Sequence, residues 1–476
     1  MPLTKAANRM ITGAPANVRD FGAVGDGTTD DTVAIQAALD SGAAKIYIPD
    51  GDYKVTGTLT LQPNTHLQGS HGIGRKFNTN TAKCRIRYEG TDTVVIRFNN
   101  DSVGYGASRL SDIVIAQLNS TASVTAVEIG NAADTETYTL QTMVDNVTIE
   151  DFSGIGILNY GSWNCTLKDI MVHGKSAPDR TTIGFHCDAS GLGSTSLHMI
   201  NCFAEECVTG FKIGDASGSN LYSYSSLINT YVDGCTTGYH FVSAGDNTRY
   251  INLYRAGVEG FSGGDVFIVD GCFVSADGLA FVPNGTPTFD HVFNVDNDAV
   301  LSIANMDNIP QTGFTGGTAL LTADNDSIVR FLNARISDAV GDLLTANGAR
   351  VDRENYLQRV FKNLDRDAPS RIAVDTSNKN TTIRGYSKYA ISAATSQIMA
   401  GTPIVDVSDI EDGEIIRFVN YGTTDIILRT EDITAGTGVV KHPDNGSGSG
   451  VVISPQDYAE FVKKSDNKLY EIKRFT

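Results

Sequence analysis

Three short stretches carry most of the side chains able to move protons or hold a sugar. They are "INCFAEE" from Ile200, "INTYVDG" from Ile228 and "INLYRAG" from Ile251. Successive side chains of a strand face opposite ways. With Ile200, Cys202 and Ala204 inward, Asn201, Phe203 and Glu205 point out. The same parity turns out Asn229, Tyr231 and Asp233, then Asn252 and Tyr254, with Arg255 beside it. A pair of carboxyls can divide glycoside cleavage, one giving a proton and the other activating water or attacking. Rings beside them can stack on the C–H faces of a sugar.

A second set is basic. If Phe185, Phe211 and Tyr239 face a core, then His186, Lys212 and His240 face away from it. On a chain of net charge -18, three stacked cationic groups could neutralise a uronate or supply the base of a β-elimination. A solvated face with unpaired histidines is the other reading.

These stretches belong to a repeat, and the repeat has to position them. "GIGILNYGS", "TIGFHCDASG", "VTGFKIGDASG" and "TTGYHFVSAG" share a glycine at Gly156, Gly184, Gly210 and Gly238. Weaker copies run from Ala126 to Gly341, giving about 27 residues per step. A second strand-like segment precedes each copy. Two short strands cannot bury their apolar face alone, whereas stacked repeats can, so the spacing predicts a parallel β-helix. Coils about 4.8 Å apart turn the outward residues into columns. One is Asn201, Asn229 and Asn252, and the next is Phe203, Tyr231 and Tyr254. A third holds Glu150, His173, Glu205 and Asp233, with Glu259 in the following coil. The bland alternatives stay open: asparagine ladders stabilise turns, acids decorate solvated turns, and exposed tyrosines can line an oligomer contact.

The opening stretch "DFGAVGDGTTDDTVAIQAALD" is rich in glycine and acid. Asp26, Asp30 and Asp31 put negative charge where a phosphate would sit, and no P-loop lysine follows. The acids suit a helix start instead, with Ile35 and Leu39 on one face and Gly42 as a stop. No zinc, EF-hand or nucleophile-elbow pattern appears, so no metal and no cofactor is expected. With 48 Gly, one Trp and 41% hydrophobic residues, the composition reads as β-rich. Its acidity argues against nucleic acid. No apolar span suits membrane insertion, and no signal-peptide core follows Met1. Seven cysteines without paired spacing read as buried free thiols of a protein folded in a reducing cytoplasm.

Val18 to Leu39, followed by "KIYIPDGDYKVTGTLTL" from Lys45, resembles the pectin-lyase-like superfamily of right-handed parallel β-helices. Within it, the pattern is most similar to bacteriophage tailspikes. The resemblance implies an all-β fold: a right-handed parallel β-helix capped by an N-terminal helix, with a C-terminal β-sandwich, assembled as a homotrimer. The expected boundaries are 1–17 for an N-terminal segment, 18–100 for the cap and first coils, and 101–348 for the β-helix. A trimerisation segment at 349–389 follows, with Tyr356, Val360 and Phe361 at helical spacing within Asp352 to Leu364, and then the sandwich at 390–476. The resemblance also implies a virion protein, assembled in the bacterial cytoplasm and joined to a tail baseplate or adaptor through its N-terminus. Its partner would be a bacterial surface polysaccharide, capsule or O-antigen, cleaved by endo-acting hydrolysis. Glu205, Asp233 and Glu259 are the expected catalytic residues. Phe203, Tyr231, Tyr254, Arg255, His186, Lys212 and His240 are expected to bind the glycan. A lyase and a non-catalytic adhesin remain alternatives. A cellular pectinase fits less well, because the His-Gly of "MVHGKS" lacks the usual aspartate pair.

Overall fold

The computed structural model describes residues 14–71, 84–99, 107–117, 122–130, 139–175, 182–188, 194–215, 222–243, 248–261, 263–282, 289–306, 314–324 and 327–332. Beyond these it describes only strand backbones. The chain divides into two compact units, Met1–Leu357 and Gln358–Thr476. No helix among the described residues is long and apolar enough to cross a membrane.

The first unit is the expected parallel β-helix. One 23-stranded sheet and one 11-stranded sheet run its length, and every strand pairing within them is parallel. The 11-stranded sheet holds the glycine-bearing copies of the repeat, in coil steps of 28, 26 and 28 residues from Ile155 to Ile183, Thr209 and Thr237. The repeat glycine is there for close approach. A Cβ on Gly184 would stand 2.6 Å from the Gly210 carbonyl oxygen of the next coil. Inside, Phe185, Phe211, Tyr239, Phe267 and Phe293 form a continuous stack of rings. Each stacked pair contributes about 0.5–1.5 kcal/mol beyond its burial.

Each coil holds more strands than the two that the sequence suggests. In one coil, Ser194–Thr195, His198–Ile200 and Phe203–Glu205 lie in the large sheet, and Thr209–Ile213 lies in the small one. Single residues of left-handed conformation, Ser196 and Asn201, make the bends between them. Asp112, Asn146, Asp169, Asn201, Asn229, Arg255 and Asn305 repeat that bend up the solenoid. Asn and Asp tolerate this conformation because their short side chains bond locally. Here they bond each other: Asn201 donates to Asp169, and Asn229 donates to Asn201, both at 2.8 Å. The expected asparagine ladder therefore exists, but Asn252 is not in it. Asn252 is the register partner of Ser226, and Arg255 follows Asn229.

The opening stretch is a cap. The helix Thr32–Leu39 buries Ile35, Ala38 and Leu39 against the core. Its Gln36 amide both accepts from the Thr60 backbone N–H and donates to the Thr60 carbonyl. The Leu59–Leu61 strand is the terminal strand of the 11-stranded sheet, so one side chain satisfies its open edge. Asp31 does not cap the helix with its side chain. Its buried carboxylate instead accepts from Val24 and Gly25 backbone N–H groups at 2.7 and 3.0 Å, which fixes the glycine loop.

All seven cysteines are buried and free, as their spacing suggests. The expected helix from Asp352 is overturned at its start, since Arg350–Glu354 is a strand added to the large sheet. The extended backbone of Ile328–Leu332 offers the next parallel ladder there, and the remainder of that segment lies outside the described residues. The second unit has a six-stranded sheet containing Ile415–Asn420, Tyr458–Lys464 and Lys468–Phe475, and a two-stranded sheet of Ile426–Leu428 with Val451–Ile453. Whether these pack as a sandwich rests on side chains outside the described residues.

Candidate active site

The acidic column is in register. His173 pairs with Glu205, Glu205 with Asp233, and Asp233 with Glu259, through four successive coils. His173 is buried, and its Nε2 lies 3.5 Å from Glu205 Oε2. Glu205, Asp233 and Glu259 are half-buried at the C-terminal ends of their short strands. Burial, and then the charge of Glu206, push the Asp233 carboxyl above the usual carboxylate range. Below His173 the column changes. Glu150 and Asp151 together face the His173 position through a bulge between Ile149 and Phe152. Glu150 is buried, and burial followed by Asp151 pushes its carboxyl up.

Glycines make room for these groups. Gly257 and Gly260 occupy the coil next to Tyr231 and Asp233. A Cβ on Gly257 would stand 2.3 Å from the Tyr231 ring, and one on Gly260 would stand 2.2 Å from Asp233 Oδ1. Ring and carboxylate thus lean into a notch that larger residues would fill.

The aromatic column is shorter than the sequence suggests. Phe203 and Tyr231 are register partners with rings stacked at 5.0 Å. Tyr254 does not continue them. It pairs with Ile228, across the left-handed bend, and is exposed. The shared "IN" of the three stretches aligns the third one three residues out of place. The true counterpart of "INTYVDG" is "YRAGVEG" from Tyr254, which puts Glu259 opposite Asp233 and Gly257 opposite Tyr231. Ile200 and Ile228 therefore do not face the core; Met199 and Leu227 do. Arg255 is exposed at the bend itself.

His186, Lys212 and His240 do stack in register. They are not a uniformly cationic, solvated face. His186 is buried, and burial followed by Lys212 lowers its imidazole to about 4. Burial and Lys212 lower His240 as well. At neutral pH His186 is therefore an uncharged imidazole.

Two features escaped the sequence reading. Glu206 takes the left-handed bend after Glu205 and acts on Asp233, a role hidden by its place at a turn. Tyr224 and Tyr250 stack at 5.8 Å on another left-handed column, and both are exposed. Non-glycine aromatics in that conformation are costly, so no propensity argument would put them there.

Residues 16–240 match the family model described as Rhamnogalacturonase A/epimerase, pectate lyase-like. This segment is a pectate-lyase-like β-helical domain. Among curated relatives, the chain is 46% identical over 69 residues to Mannuronan C5-epimerase AlgE2 of Azotobacter vinelandii, covering 12% of this chain and 7% of that one. It is 24% identical over 276 residues to the Preneck appendage protein of Bacillus phage PZA, covering 50% of this chain and 28% of that one. The aligned parts thus span 7% and 28% of these two relatives. A solved tailspike, gp42 of Acinetobacter phage vb_AbaP_AS12, has a TM-score of 0.57 at 11% identity, over 100% of this chain and 83% of that one. That likeness is one of fold.

Proposed function

We propose that this pectate-lyase-like chain is a phage tailspike that binds a bacterial surface polysaccharide, capsule or O-antigen, and hydrolyses its glycosidic bonds internally. The observation that carries the reading is the in-register column Glu205, Asp233 and Glu259 beside the stacked Phe203 and Tyr231 rings. The names of the phage appendage protein and the tailspike favour the same class of work.

Asp233 is the general acid. Burial and the Glu206 charge raise its pKa and so favour the protonated form that the leaving oxygen needs. Glu205 lies one coil away, at about the backbone spacing that suits a nucleophile, and Glu259 lies one coil away on the other side. In hydrolysis Glu205 bonds to the sugar carbon as the glycosidic C–O bond breaks and Asp233 protonates the departing oxygen; water, giving a proton back to Asp233, then displaces Glu205 and forms the new C–O bond. Phe203 and Tyr231 hold a sugar face against this edge. Arg255 and the exposed Tyr254 contact the glycan beyond the bend, and Lys212 and His240 meet it on the small sheet.

A lyase is the second reading, favoured by relatives named as C5-epimerases, since inverting C5 requires removing its proton. Purified capsule and lipopolysaccharide from a strain panel, digested and followed by chain size and ultraviolet absorbance, separate the readings. Shortened glycan without new absorbance supports hydrolysis, and absorbance of an unsaturated uronate supports elimination. Intact glycan that still binds leaves an adhesin. Assembly is proposed as a homotrimer, with a tail baseplate or adaptor protein as its N-terminal partner. Native mass near three times the 50.8 kDa chain tests the trimer.

A further inference from the structure

We propose that His186, Asp188 and Asp215 form a binding site for one divalent transition-metal ion. One ligand atom from each of the three lies within 4.8 Å of the other two. The three come from adjacent coils. His186 and Asp188 sit at the end of the Ile183–Cys187 strand, and Asp215 follows the Thr209–Ile213 strand one coil away.

The imidazole supplies the second, independent indication. His186 is only 8% exposed, yet neither ring nitrogen has a hydrogen-bond partner. An unanswered polar group in such a place costs stability. A metal ion on one nitrogen removes that cost.

The backbone under the site is fixed. The Asp188 N–H donates to the Asn159 carbonyl at 2.9 Å, and the Tyr222 hydroxyl donates to the Asp188 carbonyl at 3.1 Å. The Gly214 N–H donates to the Cys187 carbonyl, which holds the Asp215 coil against the Asp188 coil. Leu158 occupies the register position on the other side of His186 and is buried. A metal bound at about 2.1 Å from each donor needs the donors within about 4.2 Å of one another, so a small rotation of half-buried Asp215 completes the site. One imidazole nitrogen with two carboxylates favours zinc-type ions over calcium, which prefers six or more oxygens. Two negative carboxylates balance the ion, and the three-ligand set leaves a position open to water or a glycan oxygen. The site uses none of the acidic column.

The test is zinc binding by the full chain after chelator treatment. Isothermal titration with Zn²⁺, and metal analysis after dialysis, should give one ion per chain. His186→Ala and Asp215→Asn should each weaken zinc at least about tenfold. Ca²⁺ should bind far more weakly than Zn²⁺. Zinc should also raise the melting temperature of the wild type and not of the variants. If His186→Ala fails to fold, Asp215→Asn alone decides, because Asp215 is not in the core. No saturable zinc binding, or equal affinity in a folded variant, overturns the proposal.

Discussion

Asp233 stands one coil from Glu205 as its direct register partner, and Glu206 at the adjoining bend raises the Asp233 carboxyl. Burial, and then that neighbouring charge, favour the proton on Asp233. The coil stacking that pairs them is the same ladder that holds the fold together.

Replacing either acid isosterically tests this pairing. Glu205→Gln and Asp233→Asn are each expected to lower depolymerisation by at least about a hundredfold. Both side chains are half-buried rather than in the core, so circular dichroism and native mass should be unchanged. Near-normal rates for both variants on a cleaved glycan would move the site to another face.

The pH profile carries a sign. Asp233 must be protonated to act, so the rate should fall as pH rises through its raised pKa. Glu206→Gln removes a charge that holds this pKa up, and the alkaline limb should shift to lower pH. Stability follows the same direction. A carboxyl with a raised folded pKa stabilises most below its unfolded pKa, and this is lost as pH rises through the folded value. Initial rates across pH for wild type and Glu206→Gln check the shift; an unmoved limb argues against Asp233 as the acid.

Ring stacking should separate Tyr231 from Tyr254. Tyr231→Ala is expected to weaken glycan binding up to about tenfold, the scale of one lost aromatic contact, with a larger effect on KM than on kcat. Tyr254→Ala, across the bend, should change it less. Titration of purified oligosaccharide measures both.

The cap makes a prediction about stability. Asp31→Ala strands two backbone N–H groups that Asp31 now accepts from, at a cost of about 2–4 kcal/mol. Denaturant unfolding should show the loss, with zinc binding and glycan cleavage intact under native conditions. A loss well under 1 kcal/mol would mean that water replaces the carboxylate readily.

The sequence by itself determined the repeat, the parallel stacking, the cap and the aromatic core. These follow from periodic burial, because a coil that cannot hide its apolar face must meet another, and Phe185, Phe211 and Tyr239 announce that period. The column His173, Glu205, Asp233 and Glu259 was legible for the same reason. What the tertiary structure decided was the register at each bend. Strand parity cannot foresee a single left-handed residue such as Asn201 or Arg255, so it misplaced Tyr254, Asn252 and Ile228. Nor does parity give the depth of burial. His186 reads as outward from its strand but is buried, and only Asp215 comes to it from the next coil, while Asp188 belongs to its own. Local pattern fixes which way a side chain starts, while the next coil fixes what it meets.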